Sequence, residues 1–553
     1  MMSLLVLTLA ACACAQQLSG LGLENPLPTS TQYYNPLTAD FDDFARQVLA
    51  DTVTPGIAIA VVHGNETWSK GYGYADIENG VPVTPRTLFA AGSTTKSFVA
   101  ATMSKLVDSN ESAYKDVNWT TKLVDLIRED FVLQDPYTTQ RISLIDAMSH
   151  RTGMPRHDLS WVNKPHVTLR EQVRQMRYLP LHRELREGYE YCNLMFTAVA
   201  HAIEVLTGTE LGKLFRQWMF EPLGMQETFY DLDEALAYAD QSQGEVAMAR
   251  AYLYDNATLH ANVRVPWTDL PPPTGAGGVV SNVLDYTNWV RTFLHPSNVS
   301  NPISAPAIAM MSSPHIATSD SPISPFTPST GFYGLGLISG VYRGTRITGH
   351  DGGIAGYMTK MMWLPEHDAG VVVFQNAYSL AAETLAWRLI DEILGTPPDE
   401  RHDGVRVAEE IKAAKIRELD GALERLYPDA GKVAHVAPAL PLPDYEGTYS
   451  HPAYHDFTVS MASEASADAL PGAPLPLRVS QSPGAYLNVS ATLHHVSGEH
   501  WLARLKMGTE RLWLTEDAVK AKFEVGVSGK VEGLFLQAES ALEEMAWFER
   551  AKD

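Results

Sequence analysis

Phe89-Ala90-Ala91-Gly92-Ser93-Thr94-Thr95-Lys96-Ser97-Phe98 sets a hydroxyl and an amine three residues apart at the start of an apolar segment. From Ser93 to Val107 the only charged side chains are Lys96 and Lys105, so the spacing predicts a largely buried helix. Residues i and i+3 share a helix face, which puts Lys96 Nζ within reach of Ser93 Oγ. An amine near the positive end of a helix and away from water favours its neutral form. A serine beside such a base is a nucleophile. The competing reading is a helix cap followed by a lysine that snorkels to solvent. Ser112-Ala113-Tyr114-Lys115 repeats the spacing inside the polar run that begins at Asp108, and is read as a solvated loop.

Two further stretches carry chemistry if they share a cleft with Ser93. Tyr191-Cys192-Asn193 precedes an apolar helix, Leu194 to Leu206. Alternate side chains of an extended segment point the same way, so Tyr191 and Asn193 can face one site. A phenolate beside a lysine serves as general base, and the Asn amide can hold both the lysine and a substrate carbonyl. Y-x-N also occurs at Tyr33, Tyr254, Tyr286 and Tyr486, so the motif decides nothing by itself. Gly349-His350-Asp351-Gly352-Gly353 sits between strand-like runs, where glycines let backbone approach a ligand. There the Gly353 and Ser93 N–H groups can converge on a substrate oxygen as an oxyanion hole, with Gly352 at the substrate edge. The alternative is a tight turn with an exposed imidazole. The His402-Asp403-Gly404 copy is read as solvated loop. No G-x-S-x-G elbow and no H-E-x-x-H helix occurs.

With 553 residues and 45% hydrophobic content, the chain can bury a large core in two domains. A net charge of −23 argues against nucleic acid and anionic membranes as partners. No apolar run reaches the length of a membrane helix, so stable membrane insertion is not expected. Leu4 to Ala15 reads as a signal peptide ending in the small-x-small pattern Ala13-Cys14-Ala15, although its basic n-region is missing. Leu9-Ala10-Ala11-Cys12 leaves a bacterial lipoprotein signal open. Six of the sixteen asparagines begin N-x-S/T sequons: Asn65, Asn110, Asn118, Asn256, Asn298 and Asn488. Their density favours a glycosylated, secreted protein. Cleavage after Ala15 leaves Cys192 alone, which rules out an internal disulfide and a multi-cysteine metal site. No metal or cofactor is called for.

Outward from Ser93, the pattern predicts a helix over 38–49, a strand over 56–62, and helices across 100–235. Strands follow at 357–364 and 370–374, then a helix over 379–394 closed by Gly395. Strands at both ends with helices between them give an α+β fold, one antiparallel sheet with a helical lobe. The divisions are a leader over 1–15, an extension over 16–39, a main domain over 40–395 and a linker over 396–443, which holds one charged helix over 405–426 and a proline-rich stretch. Short strand patterns recur over 444–553, at 445–450, 456–461, 475–479, 501–506, 522–527 and 533–537, as in a small antiparallel barrel or sandwich. The acidic-alanine piece 463–473 reads as a loop.

Ser93-x-x-Lys96, Tyr191-x-Asn193 and His350-x-Gly352, in that order, resemble the serine β-lactamase/penicillin-binding protein superfamily. The nearest group is the branch of class C β-lactamases, family VIII esterases and D-aminopeptidases. Pro55-Gly56-Ile57-Ala58, Ser149-His150-Arg151-Thr152-Gly153-Met154, Pro222-Leu223-Gly224-Met225 and Ala276-Gly277-Gly278 support it. The resemblance covers about residues 40 to 395, and the remainder resembles a lipocalin-like barrel attached to some members. It implies a β-lactamase/transpeptidase-like fold and acyl transfer to a small-molecule or peptide substrate. Ser93 attacks, Lys96 and Tyr191 share the base role, Asn193 positions, and His350 orients the substrate or stabilises the tetrahedral state. The family's K-T-G lysine is replaced by His350, which is mostly neutral at pH 7 and weakens carboxylate anchoring. That favours esterase, amidase or aminopeptidase action. Cys192 replaces a serine, as a buried filler or a handle for thiol reagents. An acyltransferase and a non-catalytic binding or scaffold protein stand as the alternatives.

Overall fold

The computed structural model describes residues 34–161, 168–255, 259–267, 274–318, 325–326, 331–432, 434–462, 476–481, 487–508 and 513–552. The leader, the acidic-alanine loop, Asn256, Tyr33 and Tyr486 lie outside the described residues.

The main sheet has nine strands, all joined antiparallel. In chain order they are β1 (Gly56–His63), β2 (Glu66–Asp76), β3 (Val81–Pro82), β4 (Ile316–Ala317), β5 (Phe332–Tyr333), β6 (Ile338–Tyr342), β7 (Thr345–Ile354), β8 (Tyr357–Leu364) and β9 (Ala369–Gln375). Their spatial order is β3-β2-β1-β9-β8-β7-β6-β5-β4, so the first and last strands of the domain meet in the middle. β1 reads Gly-Ile-Ala-Ile-Ala-Val-Val because both its faces are covered. Ile57, Ile59 and Val61 pack under helices α1 (Ala39–Asp51) and α5 (Ala381–Leu394). Ala58, Ala60 and Val62 face the larger core, which holds α2 (Thr95–Val107), α3 (Asn193–Thr207) and α4 (Val283–Leu294).

Several boundaries differ from the sequence reading for physical reasons. Thr38 is not in α1 but caps it, its hydroxyl accepting from the Phe41 N–H. The single helix read over 405–426 is two, α6 (Gly404–Asp420) and α7 (Ala422–Leu426), meeting at Gly421. Gly349–Gly353, read as a strand edge with a tight turn as the alternative, lies within the ten-residue strand β7, paired with β8 from Thr348 to Ile354.

The C-terminal part is a closed eight-stranded barrel: β10 (Gly447–His451), β11 (His455–Met461), β12 (Leu477–Gln481), β13 (Asn488–Ser497), β14 (His500–Gly508), β15 (Trp513–Val525), β16 (Val531–Leu536) and β17 (Ala546–Arg550). The sequence reading found six of these strands and missed β13 and β17. In β13 polar and small residues alternate with Val489, Ala491 and Leu493, too weak a period to stand out. The barrel is tied to the main domain: the His157 N–H donates to Glu539 Oε2 at 2.7 Å, and His157 Nδ1 meets the Tyr454 hydroxyl at 2.5 Å.

Candidate active site

Ser93 sits in a single tight turn, Gly92–Thr94, that runs straight into α2. Gly92 has φ of +54°, and a Cβ there would come within 2.9 Å of the Gly353 nitrogen. A Cβ on Gly352 would lie 2.0 Å from the Ala91 carbonyl oxygen. These two glycines let the nucleophile turn settle directly on β7. Gly352 is therefore buried under the Ser93 turn and does not line the cavity, which corrects its assignment to substrate binding; Gly353 does line it.

Ser93 Oγ lies 2.9 Å from Lys96 Nζ and receives the Tyr191 hydroxyl at 2.9 Å. Lys96 Nζ also donates to Asn193 Oδ1 at 2.8 Å and to the Ala276 carbonyl at 2.9 Å. Three acceptors would suit an ammonium, so charge must be decided by environment. Lys96 is fully buried. Burial drives its pKa well below the ordinary lysine value, and the positive charge of Arg156 adds to the effect. Burial thus favours the neutral amine, the form that can take the Ser93 proton while keeping Asn193 and Ala276 as acceptors.

Tyr191 stands at the end of the extended segment before α3, with Cys192 turned into the core between it and Asn193. Burial pushes the Tyr191 phenol well above its usual value, against the smaller pull of Ser93 and Arg156. Burial favours the phenol over the phenolate expected from sequence, with the Tyr191 hydroxyl directed at Ser93 Oγ. The Cys192 thiol is buried and pushed up to about 12 by burial, so it is a filler and no handle for thiol reagents.

His350 corrects a second expectation. It is buried, its Nε2 meets the Tyr333 hydroxyl at 2.8 Å and its Nδ1 the Asp351 carbonyl at 2.6 Å. Burial, helped by Lys96, lowers its pKa to about 4. Both its nitrogens are engaged, and its ring lies 6.4 Å from that of Tyr191, so it leaves no free nitrogen for a substrate. Asp351 points to the other side of β7, where it pairs with Lys360 at 2.7 Å.

Three groups were missed as site residues. His150, with φ of +58°, accepts the Glu190 N–H on its carbonyl and the Cys192 N–H on Nδ1, and so clamps the Tyr191 segment from both sides. Its stretch was noted in the sequence, but nothing there pointed the ring at Tyr191. Arg156 holds Asp158 through Nε at 2.6 Å and lies 5.1 Å from the Tyr191 ring centre. Asp158 in turn receives Trp161 Nε1 at 2.9 Å and makes a long contact with Asn193 Nδ2 at 3.5 Å.

The decoys separate in space. Ser112 and Lys115 are exposed in a turn, Tyr254 is exposed, and Tyr286 is buried against Thr94. His402 is half-buried beside Trp387, not the solvated residue expected, because its N–H is held by Asp391. Among the sequons, Asn65, Asn110, Asn118 and Asn298 are exposed and Asn488 is half-buried at the start of β13.

Residues 41–395 match the family model for β-lactamase. The chain belongs to the β-lactamase family. Residues 432–550 match a domain of unknown function, and that match spans the barrel. An unguisins hydrolase of Aspergillus campestris is 34% identical over 528 residues, covering 94% of this chain and 93% of its own. A D-aminopeptidase of Brucella anthropi is 25% identical over 382 residues, 66% of this chain and 64% of its own. Among solved structures, an octameric penicillin-binding protein homologue from Pyrococcus abyssi superposes with a TM-score of 0.57 at 18% identity, covering 92% of this chain and 99% of its own. The D-amino acid amidase from Ochrobactrum anthropi gives 0.52 at 22% identity, over 65% and 98%. This β-lactamase-family protein is a serine hydrolase with a closed C-terminal barrel.

Proposed function

We propose that the enzyme cleaves amide or ester bonds through an acyl-enzyme on Ser93. The observation that carries this is the hydrogen-bond pattern at Ser93 Oγ: it accepts from the Tyr191 hydroxyl and from Lys96 Nζ, whose burial favours the neutral amine that can take the Ser93 proton. As Oγ attacks the carbonyl carbon, the Ser93 proton passes to Lys96 Nζ and the developing oxyanion takes the Ser93 and Gly353 N–H groups. Lys96 then returns the proton through the Tyr191 hydroxyl to the departing amine or alcohol. Water repeats the sequence on the acyl-enzyme and frees Ser93. Amides are favoured because the names of two relatives, an unguisins hydrolase and a D-aminopeptidase, describe hydrolysis, the second at a peptide bond.

A fluorophosphonate should add one label to the wild type and none to Ser93→Ala. Turnover of amide and p-nitrophenyl ester substrates should fall about 10³-fold or more in Ser93→Ala. Labelling that survives in Ser93→Ala, or moves to Ser112, rejects the assignment. We also propose secretion with N-glycans, supported by the exposure of Asn65, Asn110, Asn118 and Asn298. Glycosidase treatment of protein from the native host should increase its gel mobility, and unchanged mobility rejects it.

A further inference from the structure

Among the described residues, the barrel is closely filled at one end and less so at the other. Along β14, Trp501, Ala503, Leu505 and Met507 share the inward face. Trp501 and Ala503 are fully buried, and Trp501 packs with Tyr445 and Phe523 at ring distances of 6.2 and 6.0 Å. Leu505 and Met507, further along the same face, are only partly buried. An eight-stranded barrel is just wide enough to be filled by side chains or to hold one small ligand, and this one does the first at one end only.

The less filled end faces the nucleophile. One cavity of about 470 Å³ has Ser93 and Gly353 on one wall and Leu487, Leu505, Met507 and Leu514 of the barrel on the other. That volume lies in the range of small-molecule sites. Charged groups on the barrel side are already engaged: Glu539 holds the His157 N–H and Asp517 pairs with Lys415 at 2.6 Å. Thr515, Gln537 and Ser540 also reach this wall, and its apolar part is made by Leu487, Leu505, Met507 and Leu514. On the helical-lobe side of Ser93 a second pocket holds about 50 Å³, against about 470 Å³ toward the barrel, so the larger space for a bulky substituent lies on the barrel side.

We propose that the mouth of the C-terminal barrel is the subsite for a bulky apolar group of the substrate, attached beside the bond that Ser93 attacks. This rests on the reading of Ser93 as the acylated nucleophile. The substrates it selects are amides or esters bearing an aliphatic or aromatic group of several carbons, held by contact with Leu505 and Met507. The domain of unknown function is then a substrate-selecting domain.

The test pairs substrates that differ only in apolar length, once in the acyl half (p-nitrophenyl octanoate against acetate) and once in the leaving half (octyl acetate against ethyl acetate). In Leu505→Asn/Met507→Asn the long-to-short ratio of kcat/KM should fall about tenfold or more in at least one pair. Unchanged ratios in both pairs, with Ser93 still labelled by fluorophosphonate, overturn the proposal. Binding is read separately by titrating 1-anilinonaphthalene-8-sulfonate into Ser93→Ala, with and without the two barrel substitutions; its affinity should drop with them. Dye binding lost while both ratios hold means an apolar site unrelated to the substrate, which also overturns it. If the wild type turns over none of the esters, the hydrolase reading fails, and an unchanged dye affinity then rejects the mouth as well. Should the double variant lose its melting transition, Leu514→Asn carries the same comparisons.

Discussion

Burial of Lys96 makes a prediction that can be read from rate against pH. The base works only as a neutral amine, so kcat/KM should fall as pH drops through the Lys96 pKa, at a midpoint below the ordinary lysine value. Tyr191 is held as a phenol and His350 stays neutral down to about pH 4, so neither supplies that limb. Tyr191→Phe should lower kcat by about 10²-fold or more through loss of the proton relay while leaving the midpoint of the limb in place. Lys96→Arg, which cannot deprotonate, should be inactive. A limb that moves in Tyr191→Phe, or vanishes in His350→Gln, contradicts the assignment of the base. The residue types and spacings named Ser93, Lys96, Tyr191 and Asn193, and the structure brings the four within hydrogen-bonding reach. The neutral form of Lys96 was legible from its apolar helix, but the phenol form of Tyr191 was not, because it depends on how completely segments far apart in the chain exclude water. The orientation of His350 was equally hidden, since it is set by Tyr333 from another strand.

At the level of elements, the site depends on one close approach between the Ser93 turn and β7. Gly352→Ala would drive a Cβ into the Ala91 carbonyl and Thr359 Oγ1, both near 2 Å, with backbone on one side that cannot swing away. We expect a loss of about 1–3 kcal/mol in stability, with kcat reduced more than KM is raised because Ser93 and Gly353 separate. Denaturant melts and steady-state rates check this; wild-type values for both would mean that the turn does not rest on Gly352. Strand and helix order in the main domain was legible wherever apolar residues alternate or repeat strongly, as in β1, β8 and α5. It failed at β13 and β17 and at the break between α6 and α7. In those places closure of the barrel and packing on its wall decide the structure, and local periodicity carries no trace of them. That the glycine motif lies along a strand was legible from the strand-like runs beside it, whereas the partners of Asp351 and His350, Lys360 and Tyr333, were not.

Taken whole, the molecule buries several histidines in neutral form across both domains, and this fixes how its stability should respond to acid. Burial lowers His157, whose ring joins Tyr454 of the barrel to the Pro180 carbonyl, and lowers His451 and His350 to about 4. In the unfolded chain each titrates near 6.5. Their folded values are depressed, so between those limits the unfolded chain binds more protons and stability falls as pH falls. Each such histidine removes about 1.4 kcal/mol per pH unit inside the window. Asp285 works the other way: burial raises it to about 6, so it takes up a proton on the folded side first and offsets roughly one histidine. The depressed carboxylate of Asp146, held by Arg186, Ser143 and Arg151, keeps its charge below this window and contributes only at lower pH. The melting temperature should therefore be flat above about pH 6.5 and fall steadily from there to pH 4, in the full chain and with Ser93 still labelled at the upper end. His451→Asn should flatten the slope by about one proton's worth and leave the pH 7 rate on small esters within twofold. A melting temperature that does not change between pH 6.5 and 4, or a His451→Asn curve parallel to that of the wild type, would show that these imidazoles are solvated and that the barrel is not latched to the active-site loop as the geometry at His157 implies.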